Sequence, residues 1–136
     1  MAATSRQIDG ALLVGRLAAA FVFVNHGYVK LFVMGHAVVT AFFTSLGIPM
    51  PGLAAWCIAV LEFGGGLALA LGAFTRPLAT LFVCDMLGAI ILAQYRRGFV
   101  GGYELEFLLA MAAFTLAYAG AGAYSVDAWR AARQDS

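Results

Sequence analysis

The sequence predicts an all-α integral membrane protein, a four-helix bundle with a short interfacial C-terminal segment. Apolar residues make up 63% of the 136 residues and charged residues only 11%, whereas soluble domains carry about 25% charged residues. The mean hydropathy is +0.91. Because one span needs about 20 residues, four spans use most of the chain. We therefore expect a single transmembrane domain over residues 1–136, with no separate soluble catalytic domain.

The first span is predicted over residues 10–34. Arg6 precedes its apolar run, as in a signal peptide, but Arg16 interrupts that run and no A-x-A cleavage context follows. We therefore expect a retained helix. The loop over residues 35–51 contains Gly47-Ile48-Pro49, which stops a helix, and we expect a short interfacial helix within this loop.

Turn signals separate the other three spans. Thr75-Arg76-Pro77 forms a tight turn and Arg96-Arg97-Gly98 ends a helix, because Gly and Pro interrupt helical hydrogen bonding. The expected spans are residues 52–74, 76–95 and 103–119.

The C-terminal segment and the loop charges predict the topology. Ser125-Val126-Asp127 is typical of a helix start, and Trp129 with Arg130 suits an amphipathic helix at the interface. Four spans place both termini on one side of the membrane. That side carries the larger number of cationic residues, so both termini are predicted to be cytoplasmic in an inner (plasma) membrane. The residues are Arg6, Arg76, Arg130 and Arg133 on that side, against Lys30, Arg96 and Arg97 opposite.

Small residues recur at intervals of about four within the spans, a spacing that lets helix backbones approach. They are Ala11, Gly15 and Ala19, then Gly64, Ala68 and Gly72, then Ala110, Ala113 and Ala117. We expect close helix packing along these rows.

Ionisable side chains inside the spans are the candidate functional residues, because intramembrane charges are costly and mark pairs or pathways. At about 100° per residue, Arg16, His26 and Lys30 share one face of the first helix. That face must look into the bundle. Glu62 and Asp85 share faces with small residues of the second and third spans.

The rise of about 1.5 Å per residue separates these groups into two layers. Arg16 and Asp85 fall in the inner layer, which predicts a structural ion pair that closes on itself. Glu104 and Glu106 point to nearly opposite sides of the fourth helix, so only one of them faces the bundle, and the periodicity leaves the choice open. We assign a polar pocket in the outer layer to His26, Lys30, Glu62 and Glu104, with Glu106 as the alternative to Glu104.

Such a pocket suits protons, a quinone headgroup or a small anion, and His26 titrates in the neutral range. The alternative interpretation is that the charges only fix helix order and register. The sequence contains no metal-binding motif, because His26 and His36 lie ten residues apart with no further ligand at suitable spacing,. No nucleotide motif is found, and Cys57 and Cys84 form no CxxC,. A net charge of +1 without a basic run predicts no nucleic-acid partner.

In the order of its motifs the chain resembles the DoxX-like family of small four-helix membrane proteins over roughly residues 10–127. The motifs are Arg16, Asn25-His26-Gly27-Tyr28-Val29-Lys30-Leu31, Phe42-Phe43, Leu46-Gly47-Ile48-Pro49, Leu61-Glu62-Phe63-Gly64-Gly65-Gly66, Gly72-Ala73-Phe74-Thr75-Arg76, Gly102-Tyr103-Glu104 and Ser125-Val126-Asp127. The resemblance implies a bacterial or archaeal inner membrane and a link to quinone-reducing oxidoreductase complexes. It supplies no catalytic residue.

The leading functional hypothesis is a membrane subunit of a quinone-linked oxidoreductase system, with quinone as the cofactor. The chain has no stand-alone catalytic motif, so partner subunits would supply the redox centre. Two alternatives stay open. One is a non-catalytic assembly protein in contact with membrane lipids. The other is a small-solute or proton carrier, which would need a homo-oligomer because four helices make a narrow pathway.

Overall fold

The structure, a computed structural model, describes residues 4–134, and the regular elements of that part are all helical. Four helices are long and apolar enough to cross a membrane. They are α1 (Ser5–Met34), α3 (Pro51–Leu71), α4 (Thr75–Arg97) and α5 (Phe99–Ala119), with the shorter α2 (His36–Ser45) and the C-terminal α6 (Val126–Gln134). The predicted all-α four-helix architecture is confirmed. The predicted domain limits include residues 1–3 and 135–136, which lie outside the described residues.

Local capping sets the helix ends. Helix α1 begins at Ser5, before the expected residue 10, because Thr4 forms a capping box with Gln7. Such a box satisfies two backbone N–H groups that the first helical turn leaves free. The regular part of α5 begins at Glu104, because Val100 and Gly101 have non-helical backbone angles.

The membrane-spanning helices form a closed ring in which α1 contacts α3 and α5, and α4 contacts α5 and α3. The rings of Phe23 and Phe82 stack at the centre with centroids 3.8 Å apart. Leu69, Ala110 and Ala113 are fully buried beside them. Because lipid is as apolar as these side chains, close packing rather than exclusion of water holds the ring together.

Helices α1 and α3 approach most closely at two glycines outside the predicted small-residue rows, whereas Ala19, Ala110 and Ala113 of those rows are buried in the core. A Cβ on Gly27 would lie 2.3 Å from the Phe63 backbone nitrogen, and one on Gly66 would lie 3.1 Å from the Val24 nitrogen. At Gly15 and Gly64, by contrast, a Cβ would meet no side chain or backbone of another element within 4 Å. Helices α1 and α3 therefore meet through Gly27 and Gly66.

Three of the spans contain a π-helical turn: Val29–Met34 in α1, Leu61–Gly65 in α3 and Ile90–Gln94 in α4. Such a turn inserts one extra residue and is frequent at functional sites. The extra residue rotates the following side chains by about 100°. The three turns carry Lys30, Glu62 and Gln94, and these three side chains line one cavity.

Candidate functional site

Arg16 lies in the half of the bundle that holds the start of α1 and the start of α6, which we call the terminal end and define by Asp9, Arg16, Gly72–Thr75 and Ala121–Asp127. Its side chain is 2% exposed. Nη1 donates to the Ala121 carbonyl at 2.5 Å and Nη2 donates to the Tyr124 carbonyl at 2.8 Å. The guanidinium thus ties α1 to the segment between α5 and α6.

The predicted Arg16–Asp85 ion pair is not formed, and this prediction needs correction. The two residues are not in salt-bridge contact in the described part of the chain. The non-helical segment between α5 and α6 returns across the terminal end and presents carbonyls to Arg16, because carbonyls outside a helix have no helical N–H partner. Asp85 lies instead among the residues of the opposite half of the bundle.

Asp127 is the second charged residue of the terminal end that pairs with backbone groups. Its Oδ1 accepts from the Phe74 backbone N–H and its Oδ2 from that of Thr75, both at 2.8 Å. Burial opposes ionisation, but these hydrogen bonds and the nearby Arg130 lower the pKa of Asp127 below its usual range,. The carboxylate therefore caps the start of α4, where Phe74 has a left-handed backbone with φ of 52°.

A partly enclosed cavity of about 390 Å³ lies in the other half of the bundle. Most of its wall is apolar, with Phe23, Met86 and Leu109 at its base, and α2 covers it with Phe42 and Phe43. Six polar side chains enter this wall from α1, α3, α4 and α5, and we call them the cavity cluster: His26, Lys30, Glu62, Asp85, Gln94 and Glu106.

Lys30 and Glu62 form an ion pair in this cavity. Glu62 is buried, with 2% of its surface exposed, whereas the Lys30 side chain is 21% exposed. A buried carboxylate requires such a partner because its desolvation is costly. The sequence analysis placed both residues in one pocket, and the structure brings them into direct contact.

Three oxygens of the cavity cluster are buried without a hydrogen-bond partner among residues 4–134. They are Asp85 Oδ2, Gln94 Oε1 and Glu106 Oε2. Buried polar atoms are paired in the large majority of cases, so three unpaired oxygens in one cavity are an unusual feature of this half of the bundle. Sequence reasoning did not single out Gln94, although an amide inside an apolar span is a signal that could have found it.

Glu104 was the expected pocket residue, and the structure places Glu106 there instead. Glu104 is exposed and accepts a hydrogen bond from the Gly101 backbone N–H at 3.2 Å. The regular part of α5 follows the kink at Val100 and Gly101, and it turns Glu106 rather than Glu104 toward the cavity. His26 lines the cavity and is also exposed, so it stands at the rim.

Comparison with known proteins identifies the family to which this four-helix architecture belongs. Residues 11–95 match the DoxX family, and this match covers more than half of the chain. The chain belongs to the DoxX family. The DoxX match spans most of α1, all of α2 and α3, and most of α4, and so includes Arg16, the Lys30–Glu62 pair and Asp85.

Curated relatives of this DoxX protein match it over most of its length. The inner membrane protein YphA of Escherichia coli is 34% identical over 124 residues, which cover 85% of this chain and 87% of YphA. CatD of Bacillus subtilis, provisionally named an oxidoreductase, is 32% identical over 87% of this chain and 84% of CatD. The inner membrane protein YqjF of Escherichia coli is 32% identical over 88% of this chain and 91% of YqjF.

No solved structure gives a significant match. The relatives and the four spans identify this DoxX protein as a multi-pass inner-membrane protein. Within residues 4–134, no group of three or more His, Cys, Asp or Glu residues is placed to hold a metal ion.

Proposed function

We propose that this DoxX protein is the membrane subunit of a quinone-linked oxidoreductase system and that its cavity binds a quinone or quinol headgroup. The observation that carries the proposal is a mainly apolar cavity of about 390 Å³ with ionisable groups in its wall. Sites for small molecules have this volume and this combination of apolar walls with a few convergent polar groups. A quinone headgroup matches both features, because its ring suits the apolar walls and its two oxygens suit the polar groups.

The cavity cluster divides into groups that donate and groups that exchange protons. The Lys30 ammonium carries three N–H donors, one of which is directed to Glu62, so the others can bind a ligand oxygen. The imidazole of His26 at the rim can donate or accept a hydrogen bond. Glu62, Asp85 and Glu106 are the candidates to accept or deliver protons when a bound ring changes its redox state.

The rim suits a ligand that arrives from the bilayer. Four of the lining residues are also exposed and mark the opening: His26, Phe42, Leu92 and Leu105. Three of the four are apolar, and in a membrane-spanning bundle such a rim faces acyl chains at low cost. An isoprenoid tail could therefore stay in the lipid while the headgroup enters the cavity.

Electrons would have to come from a partner subunit, because the sequence holds no cofactor motif. The relative CatD, provisionally named an oxidoreductase, supports a redox context. We place both termini on the cytoplasmic side by the distribution of loop charges, which puts the terminal end at the cytoplasmic face and the cavity in the outer half.

The test is a titration of the protein in lipid nanodiscs with a short-chain benzoquinone couple, together with native mass spectrometry and quinone analysis of the extracted sample. We expect saturable binding and a co-purifying quinone or redox subunit. Glu106→Gln should weaken binding several-fold, whereas the matched change Glu104→Gln outside the cavity should leave it unchanged.

Absence of binding to either member of the couple would contradict the proposal. A stable protein with bulk phospholipid alone would then favour the assembly role. Ion or solute flux in reconstituted vesicles, abolished by Lys30→Met, would favour the carrier role.

A further inference from the structure

We propose that the protein binds the headgroup of an anionic phospholipid beside the terminal end, through Arg76 at the start of α4 and Arg130 on α6. The ligand is a phosphodiester with a net negative charge and two acyl chains. This site lies in the half of the bundle away from the cavity, so it is independent of the proposed quinone site.

Positive charge is in excess at the terminal end and on the helix ends next to it. In the part of the chain that the structure describes, these regions carry five arginines and two aspartates. They are Arg6, Arg16, Arg76, Arg130 and Arg133, with Asp9 and Asp127. Two carboxylates cannot neutralise five guanidinium groups, so this end of the bundle keeps a net positive charge.

Arg76 has no hydrogen-bond or ion-pair partner among residues 4–134. Its side chain is exposed and lines an open groove of about 480 Å³ between the start of α4 and the segment that joins α5 to α6. There the guanidinium lies over the backbone of Gly120, since a Cβ on Gly120 would be 3.4 Å from Arg76 Nε and 3.7 Å from Nη2. A planar guanidinium that is not engaged elsewhere can hold a phosphate with two parallel hydrogen bonds.

Helix α6 brings a second arginine to the same part of the chain. The Asp127 backbone N–H donates to the Gly72 carbonyl at 2.9 Å, and the Asp127 carboxylate caps the start of α4. These bonds fix the start of α6 against the turn between α3 and α4. Arg130 lies three residues further along α6, with its guanidinium carbon 4.9 Å from the centre of the Phe74 ring. Because Phe74 precedes Arg76 by two residues, both arginines flank this one turn.

The apolar surroundings of the two arginines favour a lipid over a soluble anion. Three large side chains near the turn are more than half exposed: Leu71, Phe74 and Trp129. Leu71 ends one span and Thr75 begins the next, which is the depth of the phospholipid headgroups. A phospholipid can pair its phosphate with the arginines while its acyl chains cover the apolar side chains. A zwitterionic lipid brings a cation of its own, so the excess of positive charge favours an anionic lipid.

The experiment measures lipid binding to the unmodified protein by native mass spectrometry in detergent. The probes are phosphatidylglycerol and phosphatidylcholine with identical acyl chains. We expect one phosphatidylglycerol to bind about tenfold or more tightly than phosphatidylcholine, since each arginine at a membrane surface contributes roughly fivefold. Equal binding of the two lipids would overturn the proposal.

Variants distinguish a site from diffuse attraction by surface charge. Arg76→Gln and Arg130→Gln should each reduce the preference for phosphatidylglycerol about fivefold, and Arg76→Lys, which keeps the charge, should retain most of it. Arg6→Gln removes an exposed charge near the same end and should change the preference by less than about twofold, because salt screens an exposed charge away from the site. An equal loss in Arg6→Gln and Arg76→Gln would overturn the assignment of a site.

Glycerol phosphate, which carries a phosphate but no acyl chain, separates a lipid site from a site for soluble anions. We expect millimolar glycerol phosphate to leave phosphatidylglycerol bound, because it cannot replace the contacts of the acyl chains. Displacement of the lipid by glycerol phosphate would show that the arginines bind a soluble phosphate, and the lipid assignment would be wrong.

Discussion

The two halves of the bundle differ in the partners of their charged side chains. At the terminal end, Arg16 and Asp127 each hold two backbone groups. In the cavity, Lys30 and Glu62 form an ion pair, and Asp85 and Glu106 each have an oxygen without a partner in the described part of the chain. The difference arises because the terminal end contains the start of α4 and the non-helical segment between α5 and α6, where backbone N–H and carbonyl groups lack helical partners,.

The position of a charged side chain along its span helps to separate structural charges from functional ones in a membrane bundle. A charge near a helix end can be satisfied by the backbone and needs no further explanation. A charge in the middle of a span has only other side chains, since the backbone there is used in helical bonds. Unpaired groups at that depth are therefore the better candidates for ligand binding.

The largest effect is expected from Arg16→Met, which would test whether the terminal end depends on its guanidinium. The change removes two charge-assisted hydrogen bonds and leaves the Ala121 and Tyr124 carbonyls unpaired. We expect a loss of about 4 kcal/mol in the free energy of unfolding, measured by denaturation in mixed micelles. Arg6→Met, on an exposed residue of the same helix, should cost under about 0.5 kcal/mol. Equal losses in the two variants would mean that Arg16 is not the structural anchor.

The next effect concerns the packing that holds the cavity half together. A methyl group at Gly27 would clash with the Phe63 backbone, so Gly27→Ala must push α1 and α3 apart near the Lys30–Glu62 pair. We expect a destabilisation of about 3 kcal/mol in the same denaturation experiment. Gly15→Ala on the same helix has open space and should stabilise the protein by up to about 1 kcal/mol. A neutral Gly27→Ala variant would show that the two helices do not pack closely here.

A smaller effect is expected from breaking the ion pair in the cavity. Lys30→Met leaves the buried Glu62 without a cation and should cost about 2 kcal/mol, less than a fully buried pair because Lys30 is partly exposed. Adding Glu62→Gln to Lys30→Met should recover most of that loss, since the uncompensated charge is then gone. Simple additivity of the two single changes would contradict direct pairing.

The smallest effect is expected at the cap of α4. Asp127→Ala removes the acceptor for Phe74 and Thr75 and should cost about 1 kcal/mol. Because the pKa of Asp127 is lowered on folding, its contribution is complete above the unfolded value of about 3.9. The contribution is lost as the pH falls through the lower folded value. Asp127→Asn should therefore show a shallower loss of thermal stability than the unmodified protein below about pH 4. Identical pH profiles would contradict the cap.

Much of the fold could be predicted because its signals are local. The four spans follow from length and hydropathy, and the membrane depth of Lys30 and Glu62 follows from the rise per residue. The choice between Glu104 and Glu106 could not be predicted, because the rotation of α5 depends on the kink at Val100 and Gly101 and on how α5 packs against α1 and α4. Regular periodicity assumes 3.6 residues per turn throughout.

The sequence by itself determined that the protein is a four-span membrane bundle and which of its side chains are costly inside the membrane, since both properties depend on residue type and spacing. Only the tertiary structure decided the partners of those side chains. Arg16 is held by backbone carbonyls 105 and 108 positions away, and Asp85 lies in the cavity rather than beside Arg16. Backbone carbonyls carry no residue identity, so a pattern of residue types cannot reveal which of them a folded chain will bring to a buried charge.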